Sequence, residues 1–282
     1  MLKRRRARAA ILFAFLLGVG FTACSGAAHA AGVADAPQSA SDVAAISAGQ
    51  LNWPDQSAQP RPVGPFGRVA SELARGSLPN MWRSASRKLP LERHILAQCR
   101  LGVGKCPAAA ERFLAVIDRA ADEEGWTRIA EINRAINLDI RPVSDITQYG
   151  AADLWPTPLM AFASNAGDCK DYALAKYVAL GELGVPAEDL RLVIVRIRGV
   201  NEVHAVVAVR FDGRWLILDN RTSELKYDAD IADYDPLFVI AGDGVRGMIV
   251  PPSEPQTAAL VAAKASAKPM LFAGPESFAV VT

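Results

Sequence analysis

The sequence predicts one folded domain built from helices followed by antiparallel strands, on three observations. Apolar residues recur at helical spacing between Pro107 and Asp139. The segment from Cys169 to Leu183 repeats that spacing and is closed by Gly184 and Pro186. The run His204 to Asp219 is β-like on both sides of Asp212-Gly213, a strong two-residue hairpin signal. The whole chain has 282 residues, 51% hydrophobic and 22% charged, with 31 Lys+Arg against 30 Asp+Glu. That composition excludes a wholly disordered or collagen-like protein.

Residues 1–30 read as an export signal. A basic run from Lys3 to Arg8 precedes an apolar stretch from Ala9 to about Ala23, and Ala28-His29-Ala30 fits small-x-small cleavage after Ala30. The apolar run is shorter than the roughly 20 residues a membrane-spanning helix needs. A second reading is lipidation at Cys24, since Thr22-Ala23-Cys24-Ser25 looks like a lipoprotein signal, although Phe21 stands where Leu is usual. Membrane attachment is expected only in that case. Losing residues 1–30 removes five basic side chains and no acid, leaving 26 basic against 30 acidic and a net charge of −4. A mildly acidic body whose aromatics are not interleaved with basic clusters excludes nucleic acid as a partner.

Residues 31–75 are rich in Ala, Ser, Gln and Pro and are expected to form a flexible linker. Residues 76–250 form the expected domain, and the Ala- and Pro-rich residues 251–282 a loosely held tail. Within the domain, Phe113, Val116, Ile117 and Ala120, then Ile129, Ile132 and Ile136, predict two helices meeting near Gly125-Trp126. Leu190 to Arg198 reads as a core strand whose arginines lie on its solvated end or face. Without Cys24, three cysteines remain. Cys99 and Cys106 enclose a short Gly-containing loop and make a plausible local disulfide, which leaves Cys169 as a free thiol.

Cys169 opens a predicted helix, with Asp168 as N-cap. There the free N–H groups and the positive end of the helix dipole favour a thiolate, while Asp168 and Asp171 oppose one. Reactivity therefore calls for a histidine. Of three, His29 lies at the cleavage site, His94 in the N-terminal helical region, and His204 at the start of the hairpin. If Phe211 pairs with Arg214, His204 faces Arg221 and Asp219 faces Val206, so His204 and Asp219 become diagonal neighbours on one face. A slip of one residue would separate them. Cys169, His204 and Asp219 then form a triad of thiol nucleophile, acid–base imidazole and orienting carboxylate. The Cys169 backbone N–H is a candidate oxyanion donor. Trp155 is expected to pack in the core rather than wall a cleft, and Asn220 to cap a turn after the strand rather than orient His204.

The residues from about Trp126 to Val250 resemble the bacterial transglutaminase-like cysteine proteinases, which include the LapG-type periplasmic proteases that release large surface adhesins. The resemblance rests on Ile132-Asn133-Arg134-Ala-Ile136, Asp153-Leu-Trp155-Pro-Thr-Pro158, Gly167-Asp-Cys-Lys-Asp-Tyr-Ala173, Lys176-Tyr177, Leu183-Gly-Val185, His204-Ala-Val-Val207 and Leu218-Asp-Asn220. It implies an α+β, papain-like or transglutaminase-like core in which the Cys-bearing helix packs on an antiparallel sheet, with helices N-terminal to it. It also implies catalytic roles for Cys169, His204 and Asp219, and a periplasmic or surface protein, such as an adhesin, as substrate. LapG-type members usually read Asp-Cys-Glu-Asp, with acids implicated in calcium binding. Here Lys170 stands in place of the Glu, so Asp168 and Asp171 are weak calcium ligands at most and no cofactor is expected to be required. The expected activity is that of an exported cysteine endopeptidase. Acyl transfer to an amine and a non-catalytic periplasmic binding module are the alternatives.

Overall fold

The computed structural model describes residues 53, 64–151, 154–200, 202–242 and 244–250. The expected signal segment, Cys24, most of the expected linker and the 251–282 tail lie outside them. Among the described residues, no helix is long and apolar enough to cross a membrane.

Helices dominate the first half. They are α1 (Ser77–Ser86), α2 (Leu89–Arg100), α3 (Ala108–Ala121), α4 (Gly125–Asp139), the short α5 (Asp145–Tyr149), α6 (Pro158–Ser164) and α7 (Cys169–Glu182). The two helices expected around Gly125-Trp126 are α3 and α4. Phe113, Val116, Ile117, Ala120, Ile129, Ile132 and Ile136 are all buried. The spacing that predicted these helices is therefore the spacing of their core faces. Phe113 meets Phe162 of α6 edge-on, with centroids 4.9 Å apart.

The strands are β1 (Val69–Leu73), β2 (Arg141–Pro142), β3 (Ala166–Gly167), β4 (Leu190–Ile197), β5 (Glu202–Phe211), β6 (Arg214–Leu218), β7 (Lys226–Tyr227), β8 (Tyr234–Ala241) and β9 (Gly244–Ile249). Seven of them form one antiparallel sheet in the order β1-β9-β8-β4-β5-β6-β7, while β2 and β3 pair in parallel. Leu192, Ile194, Val207, Val209, Leu216 and Ile240 share one buried cluster with the helices. Val193, Val195, Val206, Ala208, Trp215 and Ile217 point the other way into a second cluster, with Phe66, Ile231, Tyr234 and Met248 packed against it. Strand alternation thus buries both faces at the centre of the sheet. Arg196 and Arg198 of the Leu190–Arg198 run are exposed, as expected.

One boundary moves. The expected linker ran to Arg75, but Val69–Leu73 pair with β9, and Trp53 packs against the core with its ring edge-on to Phe211. Isolated apolar residues among prolines carry no period, so their partners become visible only once the β9 edge exists. The local disulfide is present, joining Cys99 at the end of α2 to Cys106 just before α3.

Candidate active site

Helix α7 begins at Cys169, as the sequence predicts. Asp168 is its N-cap and closes a capping box: its Oδ1 accepts the Lys170 N–H at 3.2 Å, and Asp171 Oδ2 accepts the Asp168 N–H at 2.9 Å. Gly167 permits this approach. A Cβ there would lie 2.6 Å from Asp171 Oδ2 and 2.7 Å from its Cβ, inside any normal contact. From Lys170 to Leu180 the helix is buried all round. It is a central core helix rather than one with a single apolar stripe. Cys169 itself is half-buried, and it is the free cysteine among the described residues.

The hairpin register is as expected, with Phe211 opposite Arg214 and Val207 opposite Leu218. The ladder stops at Leu218, so His204 pairs with Val195 of β4 and has no strand partner at Arg221. Asp219 leaves the end of β6 on the side that meets His204, and its Oδ1 lies 2.8 Å from His204 Nε2. The Cys169 side chain acts on the same ring and helps to raise its pKa. With Nε2 engaged by Asp219, the other ring nitrogen, Nδ1, is left for the thiol. The three residues singled out from the sequence are thus brought together.

Asp219 accepts from three donors. Besides His204, the Arg221 N–H reaches Oδ1 at 2.9 Å and the Tyr234 hydroxyl donates to Oδ2. Burial raises the carboxyl's pKa, but the hydrogen bonds and the His204 charge outweigh it and bring the value down to about 2. Burial also disfavours charge on His204. The Asp219 and Cys169 hydrogen bonds outweigh that too and raise its pKa to about 9. The Tyr234 hydroxyl is pushed up by burial and by its anionic partner, so it remains a donor.

Sequence reasoning missed several supporting residues. Tyr234 sits on β8, three places from β6 in the sheet, and its ring stands edge-on to His204 at 6.1 Å. The turn after β6 is pinned from α4. Asn137 Nδ2 donates to the Asp219 and Thr222 carbonyls at 2.9 and 3.1 Å, and Asn133 Nδ2 donates to the Thr222 carbonyl at 3.0 Å. The i,i+4 spacing of Asn133 and Asn137 on a core helix was the available signal. Asn220 lies in the turn, as expected. Trp155 packs against Trp82, which also contacts Tyr177 of α7. Glu92 of α2 accepts from the Thr157 hydroxyl and the Leu159 N–H, anchoring the start of α6.

Beside the thiol, the carboxylates of Asp145, Asp168 and Asp171 offer oxygens all within 4.8 Å of one another, an arrangement that could hold a metal ion. Asp168 and Asp171 were expected there, whereas Asp145 was not. Lys170 Nζ stands in the group, 2.6 Å from Asp145 Oδ2 and 2.5 Å from Asp168 Oδ2. Burial alone would lower the lysine's pKa, but these carboxylates more than offset it and the net shift is upward. Burial raises Asp171 to about 7, with Lys170 pulling against it.

A thiol at the start of a core helix, facing an imidazole held by a carboxylate on an antiparallel sheet, belongs to the α+β thiol enzymes. Residues 96–235 match the sequence model of the family described as bacterial transglutaminase-like cysteine proteinase, BTLCP. Over that span the chain matches the sequence of a transglutaminase-like cysteine protease, a class whose substrates are proteins. Among solved structures, calcium-bound LapG of Legionella pneumophila is similar at 21% identity and a TM-score of 0.46, over 60% of this chain and 98% of that one. The EGTA-treated form gives 22%, 0.46, 61% and 96%. At these values the likeness carries no argument, and the assignment rests on the family match. No curated protein matches the chain.

Proposed function

We propose that this protein is an exported cysteine endopeptidase acting through Cys169, His204 and Asp219. The observation that carries the reading is His204, held at 2.8 Å by Asp219, with the Cys169 side chain also acting on its ring. His204 takes the thiol proton, and the resulting thiolate attacks the carbonyl carbon of the scissile peptide bond. The oxyanion that forms is met by the Cys169 N–H at the helix start. The imidazolium gives its proton to the leaving amine as the C–N bond breaks, leaving a thioester on Sγ. His204 then takes a proton from water, whose hydroxide attacks the thioester, releasing the acid and restoring the thiol. Asp219 stays ionised throughout and fixes the ring's orientation. Every proton transfer is accounted for by these side chains and water, so the reading requires no cofactor.

Export is supported by the signal-like residues 1–30 and by a local disulfide suited to an oxidising compartment. We place the protein in the periplasm, with a periplasmic or surface protein as substrate, and an adhesin is the candidate that the family resemblance names. The test compares protein N-termini by mass spectrometry in periplasmic and surface extracts incubated with the mature protein or its Cys169→Ala variant. New termini made by the wild type alone support the reading and name the substrate. Their absence, or their equal appearance with the variant, overturns it, and amine cross-linked products would redirect it to acyl transfer.

A further inference from the structure

The acidic group beside Cys169 is where a divalent ion would be sought, and its residues do not fit one as they stand. Calcium takes six to eight oxygens at roughly 2.3–2.6 Å. Most of the nearby carboxylate oxygens are already committed. Asp145 Oδ2 accepts the Leu154 N–H at 2.7 Å and lies 2.6 Å from Lys170 Nζ. Asp168 Oδ1 accepts the Lys170 N–H, and Asp168 Oδ2 lies 2.5 Å from Nζ. Asp171 Oδ2 accepts the Asp168 N–H. Asp145 Oδ1 and Asp171 Oδ1 have no hydrogen-bond partner among the described residues, and two oxygens fall far short of a calcium shell. An ion shared by Asp145 and Asp168 would also meet the ammonium that already stands between them.

We propose that the Lys170 ammonium is a built-in cation, which bridges the Asp145 segment to the start of the Cys169 helix and relieves this protein of any need for calcium there. The two carboxylates come from different elements. Asp145 opens α5 and through the Leu154 N–H holds the chain that leads to Trp155, while Asp168 caps α7. Some positive charge is needed where they converge, because Asp145 is buried and Asp168 half-buried. Like charges at that distance repel, and an unpaired buried carboxylate is costly. Lysine provides the charge on a tether from the residue next to the nucleophile. Because the tether is covalent, the bridge forms on folding and does not depend on the calcium concentration outside the protein.

The test uses thermal unfolding and calorimetric calcium titration of the mature protein, so it is decided whether or not Cys169 cleaves a protein. The wild type is expected to melt at the same temperature in millimolar CaCl2 and in EGTA, with no heat of calcium binding. Lys170→Met is expected to melt on the order of 5 °C lower in EGTA, since it leaves the carboxylates unbridged. Lys170→Glu is expected to melt lower still in EGTA and to regain most of the loss in CaCl2, with a measurable heat of binding. Calcium stabilisation of the wild type overturns the proposal without recourse to any variant. So does a Lys170→Met chain as stable as wild type, and so does a Lys170→Glu chain that calcium leaves unchanged.

Discussion

His204 Nε2 lies 2.8 Å from Asp219 Oδ1, although 15 residues of chain separate them and the hairpin ladder that joins their strands ends at Leu218. The hairpin sets the distance, and the turn after β6, tied to Asn133 and Asn137, sets the direction. Each charge stabilises the other. His204 is raised to about 9 and Asp219 lowered to about 2.

That coupling has a definite pH signature. Stability from the raised histidine is fully present below its ordinary value near 6.5 and is lost as pH rises through about 9. Stability from the depressed aspartate is present above its ordinary value of 3.8 and is lost as pH falls through about 2. Asp219→Asn should therefore cost most stability between about pH 4 and 6.5. The gap between its urea midpoint and that of wild type should narrow as pH rises through about 9. NMR titration should find His204 closer to 6.5 in Cys169→Ala, and closer still in Asp219→Asn.

Tyr234→Phe removes one of the three donors on Asp219 and leaves the ring's packing in place. A hydrogen bond to a charged group is worth about 1.5 kcal/mol, so cleavage should slow by roughly tenfold. The Asp219 pKa should rise and carry the acid limb of the pH–rate profile upward with it. An unchanged profile would show that the hydroxyl does not act through Asp219.

Gly167→Ala forces a methyl group onto Asp171 and should open the capping box at the thiol. A loss of about 1–2 kcal/mol is expected in denaturant melts, the usual scale for a lost cap with local overpacking. Alkylation of Cys169 should change rate in the same variant.

Lys176 lies deep in α7, 1% exposed, with no hydrogen-bond partner for Nζ among the described residues. Burial lowers its pKa to about 7, with the Asp219 charge pulling upward. Between about pH 7 and 10.5 the unfolded lysine holds a proton that the folded one does not, so its stability penalty shrinks as pH rises. Lys176→Met should be more stable than wild type by on the order of a few kcal/mol at pH 6, with the advantage fading toward pH 10. Thermal melts across that range check it.

The sequence by itself determined the elements that carry the thiol, the imidazole and the carboxylate. Helical spacing located α3 and α4, Asp168 marked the start of α7, and Asp212-Gly213 fixed a register that places His204 and Asp219 together. These are short-range properties, legible because turn chemistry and capping act within a few residues. The free thiol and the Cys99–Cys106 pair followed from counting and spacing. Tertiary structure alone decided which distant groups complete the site. Tyr234 reaches Asp219 because β8 pairs with β4, and Asp145 reaches Lys170 because α5 packs near the start of α7. It also decided that Val69–Leu73 is a strand, since β9 supplies an edge for it. Such contacts depend on pairing between segments with no local signal, and their stability comes from burial that exists only after the chain has folded.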